Sequence, residues 1–310
     1  MQRPIRSDPR SWPSRARLWL AISVATLLAG CGSREGLFAP AGPVASANRT
    51  ILLNSLTIML AIVVPTVLLN LTFAWWFREG NARARRQPDF VYSGRVEMIV
   101  WSVPILTVLF LGGVIWIGSH DLDPARPLAS RQKPMEVQVV SLDWKWLFIY
   151  PQQGVASVNR LVLPVGVPVH FSLTSASVMN TFFVPRLGSS IYTMSGMATQ
   201  LNLLADKPGV FYGVSGHFSG DGFSDMDFPV NAVAPARFAA WVAQTRGKGP
   251  ALDSMTYPRL AQQSTRVAPI TFRAVQPQLF QDITIQRLLP APGPKTGRGD
   301  HGSISPGDES

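Results

Sequence analysis

Two long apolar runs stand out in the first 120 residues of the chain. One covers residues 51–77 and the other covers residues 96–118. A transmembrane helix needs about 20 predominantly apolar residues to cross the hydrocarbon core of a bilayer, and both runs are long enough. Trp75 and Trp76 end the first run, as expected for aromatic residues at a membrane–water interface. The pattern therefore predicts two transmembrane helices, at residues 51–77 and 96–118.

The polar segment between these runs, residues 78–95, is short and basic. It carries five arginines against Glu79 and Asp89. Short loops rich in arginine and lysine stay on the cytoplasmic side of bacterial membranes. The sequence therefore predicts a cytoplasmic loop at 78–95 and places the flanking parts of the chain in the periplasm.

The hydrophobic pattern changes from about Lys133 onward. Alternation of apolar and polar residues and short aromatic or β-branched runs replace the long apolar runs, and Gly, Pro, Asn and Ser separate them. Such segments are typical of strands in an all-β sandwich or barrel. We predict a periplasmic β domain over residues 119–235, with strands at residues 135–140, 144–150, 168–174, 197–204, 209–214 and 226–230.

The pattern becomes helical after the β domain. Phe238, Trp241 and Val242 have helical spacing within residues 236–244, which predicts a helix at the start of a C-terminal extension over residues 236–290. The last residues, 291–310, are polar and rich in Gly, Pro and Ser, a composition typical of disorder.

Composition and charge agree with a membrane protein. The chain has 310 residues, of which 46% are hydrophobic and only 15% charged, although about 25% is usual in soluble domains. The net charge of +10 does not indicate nucleic-acid binding, because the arginines cluster beside apolar runs and form no basic stripe with interleaved aromatics.

The N-terminus is typical of a bacterial lipoprotein signal. Arginines precede an apolar run at residues 18–30 that is too short to span a bilayer. This run ends in Leu-Ala-Gly-Cys at residues 28–31 and resembles a lipobox, in which Cys31 becomes the first mature residue and carries acyl chains such as palmitate. We predict a signal peptide at 1–30 and a lipid-anchored periplasmic segment at 31–50. The alternative is a buried cysteine in an uncleaved helix.

Several segments resemble subunit II of the haem–copper respiratory oxidases. Residues 180–189 read NTFFVPRLGS and residues 212–226 read YGVSGHFSGDGFSDM. Other segments are similar to the quinol-oxidising branch, the cytochrome bo-type ubiquinol oxidases, and residues 267–288 resemble its aromatic-rich C-terminal motif. These other segments are Val-Glu at 96–97, Trp-Ser-Val-Pro-Ile at 101–105, Asp-Trp-Lys-Trp at 143–146 and Val-Met-Asn at 178–180.

The resemblance implies a mixed membrane protein: a two-helix transmembrane hairpin, an all-β cupredoxin-like periplasmic sandwich and a C-terminal helical extension. It also implies subunit II of a proton-pumping ubiquinol oxidase in the bacterial inner membrane, with subunit I, other subunits, membrane lipid and, through the complex, ubiquinol as partners. We expect no cofactor in this chain, and haems and copper in subunit I. The alternatives are a copper-bearing cytochrome c oxidase subunit II and a stand-alone periplasmic binding lipoprotein, which would not need two transmembrane helices.

The copper-bearing relatives hold two copper ions between two cysteines, two histidines, a methionine and a backbone carbonyl. The thiolate positions are serines here, and Cys31 is the chain's single cysteine. Copper in such a site needs soft thiolate and imidazole ligands, and a protonated hydroxyl cannot replace a bridging thiolate. We therefore predict a degenerate, copper-free site at Ser215 and Ser219 (thiolates), Asn180 and Phe223 (histidines), His217 (carbonyl) and Met226 (methionine).

Three further residues attract attention through the resemblance. Glu97 lies at the cytoplasmic start of the second helix, where a subunit II glutamate of the relatives stands at the mouth of a proton channel; the alternative is an interfacial charge paired with Arg95. Trp144 and Trp146, two residues apart, are expected to share one face of a strand. We expect core packing or partner contacts for both tryptophans, because no copper acceptor lies behind them.

Overall fold

The computed structural model describes residues 36–85, 89–130 and 132–288. The predicted signal peptide, Cys31 and the predicted disordered tail at 291–310 lie outside these residues. The described chain begins with two long helices, continues as a β-sandwich and ends in an extension of short helices and strands.

Helix α1 covers Pro43–Trp76 and helix α2 covers Gly94–Asp121, and both are long and apolar enough to cross a membrane. Their apolar side chains are largely exposed, as expected for surfaces that face lipid or another subunit. Helix α1 begins before the apolar run at residue 51. Pro43 suits the first position of a helix, and Val44 and Ala45 are buried against the β domain, where the amide of Ala45 donates to the carbonyl of Leu187 at 3.2 Å. Residues 43–50, predicted as part of the periplasmic segment, are therefore helical.

The sandwich consists of two sheets. The first has the strand order β12-β3-β2-β1-β5-β8 and the second has the order β4-β10-β9-β6-β7. Strands β1 and β5 are parallel, as are β4 and β10, whereas the other neighbours in these sheets are antiparallel. The strands of the first sheet, in chain order, are Met135–Leu142 (β1), Lys145–Tyr150 (β2), Val155–Val158 (β3), Val169–Ser175 (β5), Thr199–Leu203 (β8) and Ile270–Phe272 (β12). Those of the second are Leu161–Pro164 (β4), Asn180–Phe183 (β6), Ile191–Thr193 (β7), Gly209–Ser215 (β9) and Asp227–Val233 (β10).

The extension covers the outer face of the first sheet. It contains the helices Pro235–Arg246 (α3), Tyr257–Ala261 (α4) and Leu279–Thr284 (α5), with the short strand pair Ala251–Leu252 (β11) and Ala274–Val275 (β13). Strand β2 is therefore buried on both faces. Trp146 and Phe148 pack in the core between the sheets, while Leu147 and Ile149 pack with Leu279 of the extension in a second core.

The predicted fold class, two transmembrane-type helices followed by a cupredoxin-like β-sandwich with a helical extension, is confirmed. All six predicted strands are present, with shifted ends. Five short strands that the sequence pattern did not indicate, β3, β4, β6, β7 and β12, complete the two sheets.

Candidate functional site

The degenerate copper positions converge at one end of the sandwich. Strand β9 ends at Ser215, a loop over residues 216–226 follows, and strand β6 begins beside it at Asn180. We call residues 216–226 the site loop. It contains a 3-10 helix at Phe223–Asp225, and the amide of Ser215 donates to the carbonyl of Met226 at 3.1 Å, which closes the loop at its base.

A buried hydrogen bond joins the first thiolate position to a histidine position. The hydroxyl of Ser215 donates to the side-chain carbonyl oxygen of Asn180 at 2.7 Å, and the two residues are 2% and 1% exposed. Two neutral polar groups that satisfy each other inside a protein form a stable arrangement, because neither has to leave water without a partner. The pair carries no charge, and its donor and acceptor satisfy each other within the protein.

The second thiolate position faces the methionine position. The hydroxyl of Ser219 lies 3.9 Å from the sulfur of Met226, and both residues are buried. Thioether sulfur is a weak acceptor, so this contact is much weaker than the Ser215–Asn180 bond. The indole nitrogen of Trp144 donates to the carbonyl of Ser219 at 2.9 Å, which attaches the site loop to the start of β2.

His217 and Phe223 lie at the rim of the degenerate copper site, where each is half-buried. The half-buried His217 has its ring centroid 6.1 Å from that of Tyr192, in edge-to-face geometry, and its carbonyl oxygen is 3.4 Å from the Ser215 hydroxyl. The half-buried Phe223 packs edge-to-face at 5.7 Å on Phe218, whose side chain is 60% exposed. Aromatic packing therefore occupies the rim.

This arrangement does not suit a dinuclear copper centre. The six positions supply two hydroxyls, an amide, a thioether, a phenyl ring and a backbone carbonyl, and no thiolate. Copper in such a site needs soft or imidazole donors. Within residues 36–85, 89–130 and 132–288, no three His, Cys, Asp or Glu side chains come close enough to hold a metal ion.

Trp144 and Trp146 both pack in the core between the two sheets, as expected for residues on one face. Trp146 contacts Phe182 edge-to-face at a centroid distance of 5.5 Å, and Trp144 lies under the site loop. Both tryptophans are thus packing residues, and Trp144 also positions the loop.

Glu97 lies in the first turn of α2 and its side chain is exposed. A carboxylate is favourable there because the helix dipole is positive at that end. The described part of the chain contains no salt bridge between Glu97 and Arg95. The geometry leaves the carboxylate accessible to water or to a partner subunit, as a proton-accepting group at a channel mouth would need.

Two buried residues of opposite charge, Asp143 and Lys145, flank Trp144 and were not anticipated from the sequence. Asp143 and Lys145 are each about 1% exposed. Burial raises the pKa of the Asp143 carboxyl, and burial lowers the pKa of Lys145 to about 8. The Lys145 ammonium donates to the carbonyl of Gln262 and to the hydroxyl of Ser264, both at 2.6 Å. The one signal in the sequence was two opposite charges flanking a tryptophan in an otherwise apolar strand.

Two family descriptions match the chain. Residues 136–233 match "Cytochrome C oxidase subunit II, periplasmic domain", and residues 246–286 match "COX Aromatic Rich Motif". Among solved structures, the periplasmic domain of subunit II of cytochrome oxidase (CoxB) of Bradyrhizobium japonicum is similar at 24% identity, covering 37% of this chain and 96% of that chain with a TM-score of 0.35.

Curated relatives match most of the chain. Cytochrome bo(3) ubiquinol oxidase subunit 2 of Pseudomonas aeruginosa is 45% identical over 87% of this chain and 81% of that protein. Ubiquinol oxidase subunit 2 of Acetobacter aceti is 47% identical over 84% of this chain and 85% of that protein. Identity of this extent supports the quinol-oxidase interpretation over a cytochrome c oxidase subunit or a stand-alone lipoprotein. The chain belongs to the ubiquinol oxidase subunit 2 family.

Proposed function

We propose that this chain is the copper-free subunit II of a proton-pumping ubiquinol oxidase, in which subunit I holds the haems and copper. The observation that carries the proposal is the buried 2.7 Å bond between Ser215 and Asn180, at a thiolate and a histidine position of the copper-bearing relatives. A pair of neutral groups closes the place where a metal would lie. The chain then supplies two membrane helices and a periplasmic domain, and electrons reach subunit I from quinol without passing through this domain.

The experiment that tests this proposal is a comparison of electron donors. The complex, purified through a tag on this chain, is expected to contain a haem-bearing subunit and to consume oxygen with a soluble ubiquinol analogue. Reduced cytochrome c should support no oxygen consumption above that of the buffer. Oxidation of cytochrome c at a rate comparable with that of quinol would contradict the proposal.

Glu97 is the chain's contribution to proton uptake in this proposal. Its exposed carboxylate at the cytoplasmic start of α2 can collect protons from water and pass them to residues of subunit I. Ionisable residues within membrane-spanning segments are rare, and many of them belong to proton relays.

Cys31 is proposed as the lipid-modified N-terminus. A single acyl chain binds a membrane only marginally, whereas a transmembrane helix is held effectively irreversibly. The lipid would therefore position the N-terminal segment at the membrane surface, and α1 and α2 would retain the protein in the bilayer.

A further inference from the structure

A short segment of the C-terminal extension, residues 262–267, is hydrogen-bonded at both of its ends to the first sheet, at the start of β2 and just after the end of β3. We call it the clamp segment. At its beginning, Lys145 donates to Gln262 and Ser264, and the amide of Ser264 donates to the carbonyl of Asp143 at 3.1 Å. At its end, the side-chain amide of Asn159 donates to the carbonyl of Val267 at 2.9 Å.

The middle of the clamp segment lies against the site loop. A Cβ atom added to Gly222 would lie 2.6 Å from the methyl carbon of Thr265 and 2.5 Å from Cγ of Trp144. The indole ring and the clamp segment therefore both pack closely against Gly222, on the side where a Cβ atom would lie.

An ion pair extends this contact. The guanidinium of Arg266 binds the carboxylate of Asp225, in the 3-10 helix of the site loop, with 3.1 Å between Nε and Oδ2. Arg266 has a φ of 53°, in the left-handed region that residues other than glycine rarely adopt. Such a backbone conformation persists only where the surrounding contacts impose it, and here the bonds of Ser264 and Val267 flank it.

From these contacts we infer that the clamp segment holds the copper-free site loop in its folded conformation, the task that a bound metal performs in a metal-bearing loop. This inference rests on the proposed copper-free function. It gives the aromatic-rich extension a specific role: it holds residues 216–226 from outside, through Gly222 and Asp225, where the serines at 215 and 219 supply no thiolate for a metal inside the loop.

Hydrogen–deuterium exchange of the intact purified complex tests this inference. The variant carries Ser264→Ala and Arg266→Ala, which removes one acceptor of Lys145 and the ion pair to Asp225. The amides of Phe223 and Met226, hydrogen-bonded within the site loop at 3.1 Å each, should exchange about tenfold faster, as expected when a local opening becomes easier. Amides of strand β1 should be unaffected.

Two control variants, Arg287→Ala and Gly216→Ala, and one further test variant, Gly222→Ala, complete the experiment. Arg287→Ala breaks the 2.9 Å ion pair to Asp282 in the same extension, outside the clamp segment, and should leave site-loop exchange unchanged. Gly222→Ala should accelerate it, whereas Gly216→Ala, whose new methyl group would meet Thr181 at an ordinary 3.5 Å, should not.

Site-loop exchange in the double variant within twofold of the wild type would overturn the inference. Failure of the underlying copper-free proposal has a different signature: copper bound to this chain, and site-loop exchange that rises when a chelator is added to the unmodified complex. The two failures are therefore distinguishable.

Discussion

Replacing Ser215 by alanine tests the hydrogen bond at the centre of the degenerate site. The substitution removes the only hydroxyl that donates to the Asn180 oxygen within the described contacts, and leaves that oxygen in a position where the residue is 1% exposed. An unsatisfied buried acceptor costs about 1–3 kcal/mol. We therefore expect Ser215→Ala to lower the free energy of unfolding of the periplasmic fragment, residues 125–290, by about 1–3 kcal/mol.

Ser219→Ala is the matched control, because Ser219 is also buried and occupies the other thiolate position. Among the residues that the structure describes, its hydroxyl contacts only the sulfur of Met226, at 3.9 Å, so its loss should cost about 0.5 kcal/mol or less. Asn180→Leu alone and the double variant Ser215→Ala with Asn180→Leu complete a double-mutant cycle, in which the two substitutions should couple by about 1 kcal/mol or more.

Urea denaturation, followed by the fluorescence of the buried Trp144 and Trp146, measures the free energy of unfolding of the wild type and of all four variants in the same buffer, without added metal. If Ser215→Ala and Ser219→Ala lower the free energy of unfolding equally, the argument is refuted, because the 2.7 Å hydrogen bond would then contribute no more than the weak contact to sulfur. Additive costs in the double variant would refute it as well.

Three further predictions concern the rest of the chain. Glu97→Ala should leave assembly and haem content intact but slow oxygen consumption in a membrane assay, with Glu97→Asp milder; normal turnover of Glu97→Ala would make this residue an ordinary interfacial charge. Cys31→Ser should keep the protein in the membrane fraction but abolish lipidation, and an intact mass of the wild type that still includes residues 1–30 would refute the signal prediction. Burial lowers the pKa of Lys145 in the folded protein to about 8 from an ordinary 10.5, so between these pH values the unfolded chain binds more protons than the folded one. The stability of the wild type relative to Lys145→Met should therefore rise as the pH increases from 8 to 10.5. Thermal unfolding at several pH values measures this difference, and a difference that does not change with pH would contradict the prediction.

The membrane helices and most strands could be predicted because their signals are local. A long apolar run or a short alternating segment can be recognised in the sequence without knowing which part of the fold it packs against. Strands β6 and β7 are short and lack such a pattern. They form because β6 pairs with β7 and also with β9, where Phe182 lies opposite Ser215 in the folded sheet. The early start of α1 likewise depends on a distant surface, the carbonyl of Leu187.

The candidate site shows the same division. The residue types at Ser215 and Ser219 indicated that thiolate ligands were missing, but the hydrogen bond between Ser215 and Asn180 could be seen only in the structure. The hydrogen bonds from Lys145 to Gln262 and Ser264 join residues more than a hundred positions apart in the chain, so no local sequence pattern predicts them. Contacts of this kind are decided by the tertiary fold.

Copper analysis of the isolated periplasmic fragment tests the central claim most directly. The fragment is incubated with excess copper under reducing conditions, passed over a desalting column, reoxidised and examined by metal analysis and visible absorption. Our account predicts no stoichiometric copper and no visible chromophore, with the fragment folded throughout. Two copper ions per fragment, together with visible absorption, would contradict it.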